Sequence, residues 1–551
     1  MLEEAIMPVF QTRLTPDLVE RYMRSGHWGS ETFFQILQQQ ATAHPAREVI
    51  IDHRQRVTYG ELCARVDRTA AALQHLGIGP GDVVTIQLPN WAEFAYVFFA
   101  CERLGAVANQ IGPDFRSREV EYILRFSESR AFVCPVTFRG FEYIPMIREL
   151  RPHLPALQAV CVLGSSGAPD TVSLDEMISG QRHLLPLVPQ PLEANEVMRM
   201  AFTSGTTGNP KGVTHSFNTT LPACRILNDA MQVGEHEVFL IYLPLGLNWG
   251  YLTLLQAIMV GARAVLLDRF SARAALELME REHVTFIPSA PASLIAMLNE
   301  PELGRFDLSS LRVVITGGAS CPVETLRAFR ARMPGHLIEL YGMLETGFHT
   351  FTRLTDDPEA VTGTIGRAAA GMGLRLLDEH GREVPPGAEG EIAAAGPSVH
   401  LGYHKNPTAN AELFTVDGWF RTGDLGQCDT AGNVRIVGRL KEIINRGGQK
   451  FFPREIEEML YTHPKIVHAA IVGVPDPRLG ERNCLCVIPR PGASLSLEEV
   501  VDFLKDRVAT YKLPEALEVF DDFPFTPTGK IQRHVLTHQV LARRGTLAAL
   551  P

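Results

Sequence analysis

"TSGTTGNPKG", residues 203–212, follows the run "MRMAF" at 198–202. That run reads as an apolar, buried strand. The glycine- and hydroxyl-rich stretch therefore leaves a strand end at the carboxyl edge of a sheet, where open α/β sheets bind their ligands. Gly205, Gly208 and Gly212 permit close backbone approach and positive φ. Exposed N–H groups, the hydroxyls of Thr203, Ser204, Thr206 and Thr207, and the Lys211 cation together suit a polyanion. The spacing differs from the commonest nucleoside-triphosphate loop, in which Gly-Lys runs straight into Ser or Thr. Here Lys211 follows Pro210 and precedes Gly212. A Gly/Thr linker is the plain alternative, but this composition directly after a buried strand favours a phosphate site.

On both sides of the loop, helical and strand patterns alternate. Upstream, "ELCARVDRTAAALQHLG", "DVVTIQL", "WAEFAYVFFACERLG" and "AVANQI" follow one another, and downstream "VFLIYLPL", "YLTLLQAIMVG", "ARAVLLD", "VTFIPSA", "LRVVITGGA" and "HLIELYG" continue the series. Apolar strands interleaved with helices predict doubly wound, mostly parallel α/β sheets, more than one in number. Near 370 the pattern changes: "GLRLLDEHGREVPPGAEGEIAAAG" reads as antiparallel hairpins. Beyond "NVRIVGRLKEIINRGG" comes a small α+β unit. The expected division is an N-terminal domain over 1–437 and a C-terminal domain over 438–551.

A chain of 551 residues is too long for one core, and 45% hydrophobic with 21% charged residues is the balance of a globular protein. The net charge of −10 argues against a general nucleic-acid binder. Nine cysteines are scattered, with Cys484 and Cys486 alternating in a strand-like run that suits core packing better than a metal pair. That usage fits a reducing compartment. The start "MLEEAIMPVF" lacks a basic n-region, and no run approaches the ~20 apolar residues of a membrane span. A cytoplasmic enzyme is the expectation, and a homodimer a candidate assembly.

Five further segments carry chemistry-bearing residues. "ITGGAS" gives Gly317, Gly318 and Ala319, a small-residue turn that can lie against a flat base. "IELYGMLET" gives Tyr341 and, four residues on, Glu345. "GWFRTGDLG" and "VGRLKEIINRGG" give Asp424 and Arg439, and "FPFTPTGKIQR" gives Lys530. Each alone is weak: a lone tyrosine is usually core, a lone Gly-Asp a turn, and a lone lysine a solvated charge.

In order and spacing, the set resembles the AMP-forming acyl-CoA synthetase family, with its relatives the luciferases and peptide-synthetase adenylation domains. The resemblance runs over nearly the whole chain. "RYMRSGHWGSETFFQIL" (21–37) and "YGMLETGFHTFTRLTDDPEAVTGTIGR" (341–367) look most like the branch acting on medium-chain and cyclohexanecarboxylate-type acids. The resemblance implies a large N-terminal domain with a small β-barrel-like part and a mobile C-terminal domain. It also implies that loop 203–212 holds the β and γ phosphates of ATP. Gly317–Ala319 and Tyr341 would sandwich the adenine, with Glu339 and Leu340 along its edge and Gly342, Met343 and Leu344 continuing the nucleotide wall. Asp424 would bind the ribose hydroxyls, and Arg439 the ribose or phosphate side. Glu345 would hold Mg²⁺, a hard cation that favours carboxylate and phosphate oxygens. Lys530 would bridge the acyl carboxylate and the α-phosphate. Lys441 would be the hinge about which the small domain turns, bringing Gly447 and Gly448 to a CoA tunnel.

Two positions depart from the family pattern. The family usually has Thr or Ser where Leu344 stands, and that hydroxyl contacts phosphate; a bulkier leucine could also push Glu345 off its metal. The family often has His where Leu247 stands. Asn248 and Trp249 follow, either recognising an oxygenated or ring-bearing acid or filling the pocket wall, and with Met343 they leave an apolar acyl pocket. The expectation is an AMP-forming acyl-CoA ligase for a hydrophobic, cyclic or acyclic, carboxylic acid, with ATP and CoA as co-substrates. Three alternatives stand beside it: a ligase specialised for the thioester step on a preformed acyl-adenylate, an enzyme loading a carrier protein, and a non-catalytic nucleotide-binding protein. The chain leaves no room for a carrier domain of its own.

Overall fold

The structure is a computed structural model that describes residues 10–164, 168–179, 184–203, 210–319, 321–526 and 530–544. Among these, two large sheets dominate. The first runs, edge to edge, through Gly402–Tyr403, Gly212–His215, Arg199–Phe202, Val107–Gln110, Val83–Ile86, Ala131–Pro135, Ala159–Leu163 and Val172–Ser173. It is parallel from Arg199–Phe202 onward and antiparallel at the edge that includes Gly212–His215. The second has the parallel strands Phe286–Ser289, Val313–Gly317 and His336–Met343 side by side, closed by antiparallel Gly347–Phe351.

The helices explain how two sheets share one core. Ala92–Leu104 buries residues on every face, and Asn248–Met259 buries nine, from Gly250 to Ile258. A helix apolar all round has no solvent face and belongs in an interior. The two meet through Phe98 and Tyr251, whose ring centroids are 4.9 Å apart. Amphipathic helices such as Ala272–Arg281, with only Ala275, Leu276 and Met279 buried, cover the outside. Where the sequence alternates in short runs, four antiparallel strands form a third sheet: Gly373–Leu377, Glu389–Ala395, Phe420–Cys428 and Val434–Arg439. This is the expected barrel-like part.

After Arg439 a 3-10 turn, Leu440–Glu442, leads into the last unit. Its five strands are led by the long pair Ile466–Asp476 and Gly480–Pro489, with Pro453–Leu460, Leu497–Leu504 and Arg533–Arg543 as its main helices. Cys484 and Cys486 are both fully buried in the second strand of that pair, as core residues. The fold is therefore the α/β architecture expected, with a large N-terminal part and a small α+β C-terminal part. Among the described residues no helix is long and apolar enough to cross a membrane.

Candidate active site

The carboxyl ends of the two sheets converge on one cleft. The loop after Val107–Gln110 abuts the start of helix Asn248–Met259 so closely that a Cβ on Gly246 would lie 2.0 Å from the Ile111 carbonyl oxygen. Only glycine fits there. The Trp249 indole lies over Gly317 at the end of Val313–Gly317, 3.3 Å from where a Cβ would stand. The Asn248 amide reaches Met343 at the end of His336–Met343, its Nδ2 3.4 Å from the carbonyl oxygen. Leu247, Asn248, Trp249, Met343 and Leu344 are all half-buried, as residues lining an open cleft would be.

At the glycine-rich loop, Thr203 and Lys211 clasp the two ends. Thr203 N–H donates to the Lys211 carbonyl at 3.1 Å, and Lys211 N–H donates to Thr203 Oγ1 at 3.2 Å. Ser204, Gly205, Thr206, Thr207 and Gly208 lie outside the described residues. The Lys211 ammonium sits 4.8 Å from the Tyr403 ring centroid, a cation–π contact. Burial and the nearby Lys441 lower its pKa, while Glu345 and Glu412 oppose them.

Glu345 joins this cluster. Tyr403 donates its phenolic O–H to Glu345 Oε1 at 2.9 Å. Burial raises the carboxyl's pKa, with Tyr403, Lys211 and Lys530 pulling it back. The backbone beside it is held twice: His400 N–H donates to the Glu345 carbonyl at 2.8 Å, and His215 Nε2 lies 2.7 Å from the Leu344 carbonyl oxygen. Burial drives the His215 pKa well below its usual value, so the ring is neutral and its Nε2–H is the donor. From this fixed backbone Glu345 lies in the field of Lys211 and Lys530.

Across the cleft, Asp424 is almost fully buried yet accepts from two donors. Tyr341 O–H donates to its Oδ2 at 2.7 Å, and Arg439 Nε is 2.6 Å from Oδ1. Strand pairing of Asp424 directly with Arg439 fixes this contact. Asp424 raises the Arg439 pKa, and burial together with Asp424 raises that of Tyr341. Lys530 projects from the C-terminal unit into the same field. Burial brings it down to about 8, with repulsion from Arg439 and attraction from Asp424, Glu345 and Glu442.

Not every expected residue gathers here. Gly317, Gly318 and Ala319 form the turn at the strand end, with Gly318 at φ +76. Gly342 also tolerates no side chain, since a Cβ would lie 2.1 Å from the Gly347 carbonyl oxygen. Leu340 turns into the core, and Glu339 lies in the field of Arg454 and Arg330, its carboxyl pushed up to about 8 by burial. Lys441 is exposed on the 3-10 turn. Gly447 and Gly448, at φ 60 and 89, form an exposed hairpin turn between Ile444–Arg446 and Gln449–Phe451. Lys530 and the Gly447–Gly448 turn thus belong to one unit, but only Lys530 lies at the cleft. Among the described residues no three His, Cys, Asp or Glu side chains form a group that could hold a metal. Tyr403, His215 and Arg199 were not singled out in the sequence. The signal for the last was an arginine inside an otherwise apolar strand.

A glycine-rich loop at a strand end, a carboxylate among lysines, and a buried aspartate of the third sheet held by Tyr341 and Arg439 define a nucleotide-dependent ligase site. The AMP-binding enzyme family matches residues 37–404, and the AMP-binding enzyme C-terminal domain matches residues 455–530. The chain is 35% identical to the medium-chain fatty-acid–CoA ligase of Escherichia coli (strain K12), over 95% of this chain and 93% of that one. It is 34% identical to the 2,3-dihydroxybenzoate-AMP ligase of Bacillus subtilis (strain 168), over 95% and 96%. Its structure resembles that of the anthranilate CoA ligase AuaEII in complex with anthranoyl-AMP, with a TM-score of 0.86, 25% identity, and coverage of 94% and 98%. The chain belongs to the AMP-binding enzyme family and is an AMP-forming, adenylate-forming ligase.

Proposed function

We propose that this protein joins a hydrophobic carboxylic acid, cyclic acids included, to the thiol of CoA through an acyl-adenylate. The observation that carries the reading is the convergence of Lys211, Glu345 and Lys530 on a cleft whose other wall is Leu247, Trp249 and Met343. A carboxylate approaches a polyphosphate only when charge is neutralised first. Lys530 lies where it can face both the acid and the α-phosphate, and cations preorganised at developing charge are worth far more in a dry site than in water. Attack of the acid oxygen on the α-phosphorus forms the acyl–phosphate bond and breaks the α–β bridge, releasing pyrophosphate. The clasped loop and Lys211 hold that leaving group. Asp424, positioned by Tyr341 and Arg439, is a fixed acceptor for the ribose hydroxyls, and Gly317–Ala319 with Tyr341 would face the base.

Glu345 suits Mg²⁺, because the remaining ligands of a hard cation there are phosphate oxygens of the nucleotide and water. The ion supplies charge neutralisation at the phosphates when bound. Glu345, oriented by the Tyr403 hydroxyl, would be the residue that holds it.

The thioester step needs the space that Lys530 fills. Rotation about Lys441 would withdraw Lys530 and bring in Gly447 and Gly448, which lack side chains to block a pantetheine arm. The boundary at 438 lies between the two matched family spans, which supports a two-domain division. Acceptor and acid are tested together by mass spectrometry of the products formed with CoA or with a phosphopantetheinylated carrier protein. Acyl-CoA formed at a higher rate supports this reading; acylation of the carrier alone overturns it.

The acyl wall makes its own prediction. Trp249 abuts Gly317 and closes the cleft, so Trp249→Ala should admit larger acids while ATP affinity stays nearly unchanged. Steady-state kinetics over a size series of acids checks this. An unaltered acid profile would place the indole outside the pocket.

A further inference from the structure

Arg199 opens the strand Arg199–Phe202 and is only 1% exposed. A buried charge is costly unless something pairs with it. Here the partners are neutral. Nη2 donates to Asn248 Oδ1 at 2.6 Å, Nη1 donates to Gln110 Oε1 at 3.3 Å, and the guanidinium carbon lies 4.4 Å from the Tyr251 ring centroid. Nε meets no acceptor. The electrostatic neighbours are Tyr251 and Cys224, with no carboxylate among them. Glu102, the acid in the field of Tyr251, accepts instead from Phe34 N–H at 2.8 Å. His215, also close, is neutral. The layer behind the acyl wall therefore holds one positive charge that no anion of this site neutralises.

The same contact fixes the Asn248 amide. A guanidinium has only donors, so the amide oxygen must face Arg199 and the NH₂ must face away. Among the described residues its acceptor there is the Met343 carbonyl, at 3.4 Å, a long hydrogen bond that uses one of the two protons. Asn248 itself is half-buried between Leu247 and Trp249 on the cleft wall. The acyl wall thus carries an oriented donor, backed by a buried cation, between the apolar Leu247 and Trp249.

We infer that Arg199 is a positioning residue that orients and polarises Asn248, so that the preferred acid carries a second oxygen acceptor on its acyl skeleton, either neutral or anionic. This rests on the acyl-adenylate reading above. An acid with no such oxygen leaves the amide donor unpaired in a dewatered site, which costs affinity. An anionic oxygen gains further from the uncompensated charge.

The test uses stable acyl-sulfamoyl-adenosines, which mimic the adenylate, in matched pairs: benzoyl with 2-hydroxybenzoyl, cyclohexanecarbonyl with 2-oxocyclohexanecarbonyl, and hexanoyl with adipoyl. Binding is measured by calorimetry on the full chain. The native protein should bind the oxygenated member of at least one pair about tenfold more tightly or better. Arg199→Met, of similar length but uncharged, should bring every pair within about threefold while leaving the affinity for ATP unaltered. Arg199→Gln, which can still donate to Asn248, should keep the hydroxyl or keto preference and lose any excess for the adipoyl compound. Should the methionine variant not fold, the glutamine variant and the native preferences decide. Equal binding within every pair, or a folded Arg199→Met that keeps the full preference, overturns the inference alone. Failure of every analogue to bind overturns the acyl-adenylate reading with it.

Discussion

Lys530→Ala should cripple acyl-adenylate formation and leave transfer from a supplied acyl-adenylate to CoA largely intact. The ammonium lies in the field of Asp424, Glu345, Glu442 and Arg439, where the proposed mechanism would bring acid carboxylate and α-phosphate together. Removing one preorganised group at developing charge typically costs about 10²–10³ in rate. On the proposed rotation the thioester step would run with Lys530 withdrawn, so it should change by less than about threefold. Single-turnover assays of each half-reaction check this. Equal losses in both would remove the two-conformation mechanism for this chain.

The same lysine sets a pH limit. Burial lowers it to about 8, well under an ordinary lysine, and only the ammonium can bridge two anions. The kcat/KM for the acid in adenylation should therefore be full below that value and fall as pH rises through about 8, since that ratio reports the free enzyme. Transfer from a supplied adenylate should not follow this limb. A flat profile from pH 7 to 9 would show that the ammonium is not required.

Leu344→Thr should speed adenylation. The backbone at 344 is fixed by His215 and that at 345 by His400, and Glu345 keeps its hydrogen bond from Tyr403. A threonine hydroxyl would therefore project from an already ordered backbone. A hydrogen bond to a charged phosphate is worth roughly 1.5–3 kcal/mol, on the order of 10- to 100-fold in rate. Phosphates are held only until pyrophosphate leaves, so CoA transfer should be spared. Pyrophosphate exchange by the native and Leu344→Thr proteins, beside transfer from a synthetic adenylate, decides the matter. Brisk native exchange that threonine does not improve would mean that leucine costs nothing here.

The alternation of apolar strands and helices made the doubly wound sheets legible, because buried parallel strands write themselves as short apolar runs. The cysteine pair was legible for the same reason. Local contacts were within reach of the sequence, as with Thr203 and Lys211, which hydrogen-bond to each other across the loop. The site was not legible where partners meet across the fold. Tyr403 reaches Glu345 over 58 positions, and Arg199 reaches Asn248 over 49; nothing in either local pattern announces the other. Arg199 was the harder case, since its strand reads as apolar although its first residue is a cation. Gly447 and Gly448 belong to a pattern that carries no information about conformation, and the structure puts them on an exposed turn.

The central claim, that this ligase makes a thioester through an adenylate, is tested most directly by the stoichiometry of one reaction. With ATP, an accepted acid and CoA, the account predicts AMP, pyrophosphate and acyl-CoA in equal amounts, and no AMP without the acid. Formation of ADP and phosphate, or of AMP without a matching thioester when CoA is present, would contradict it.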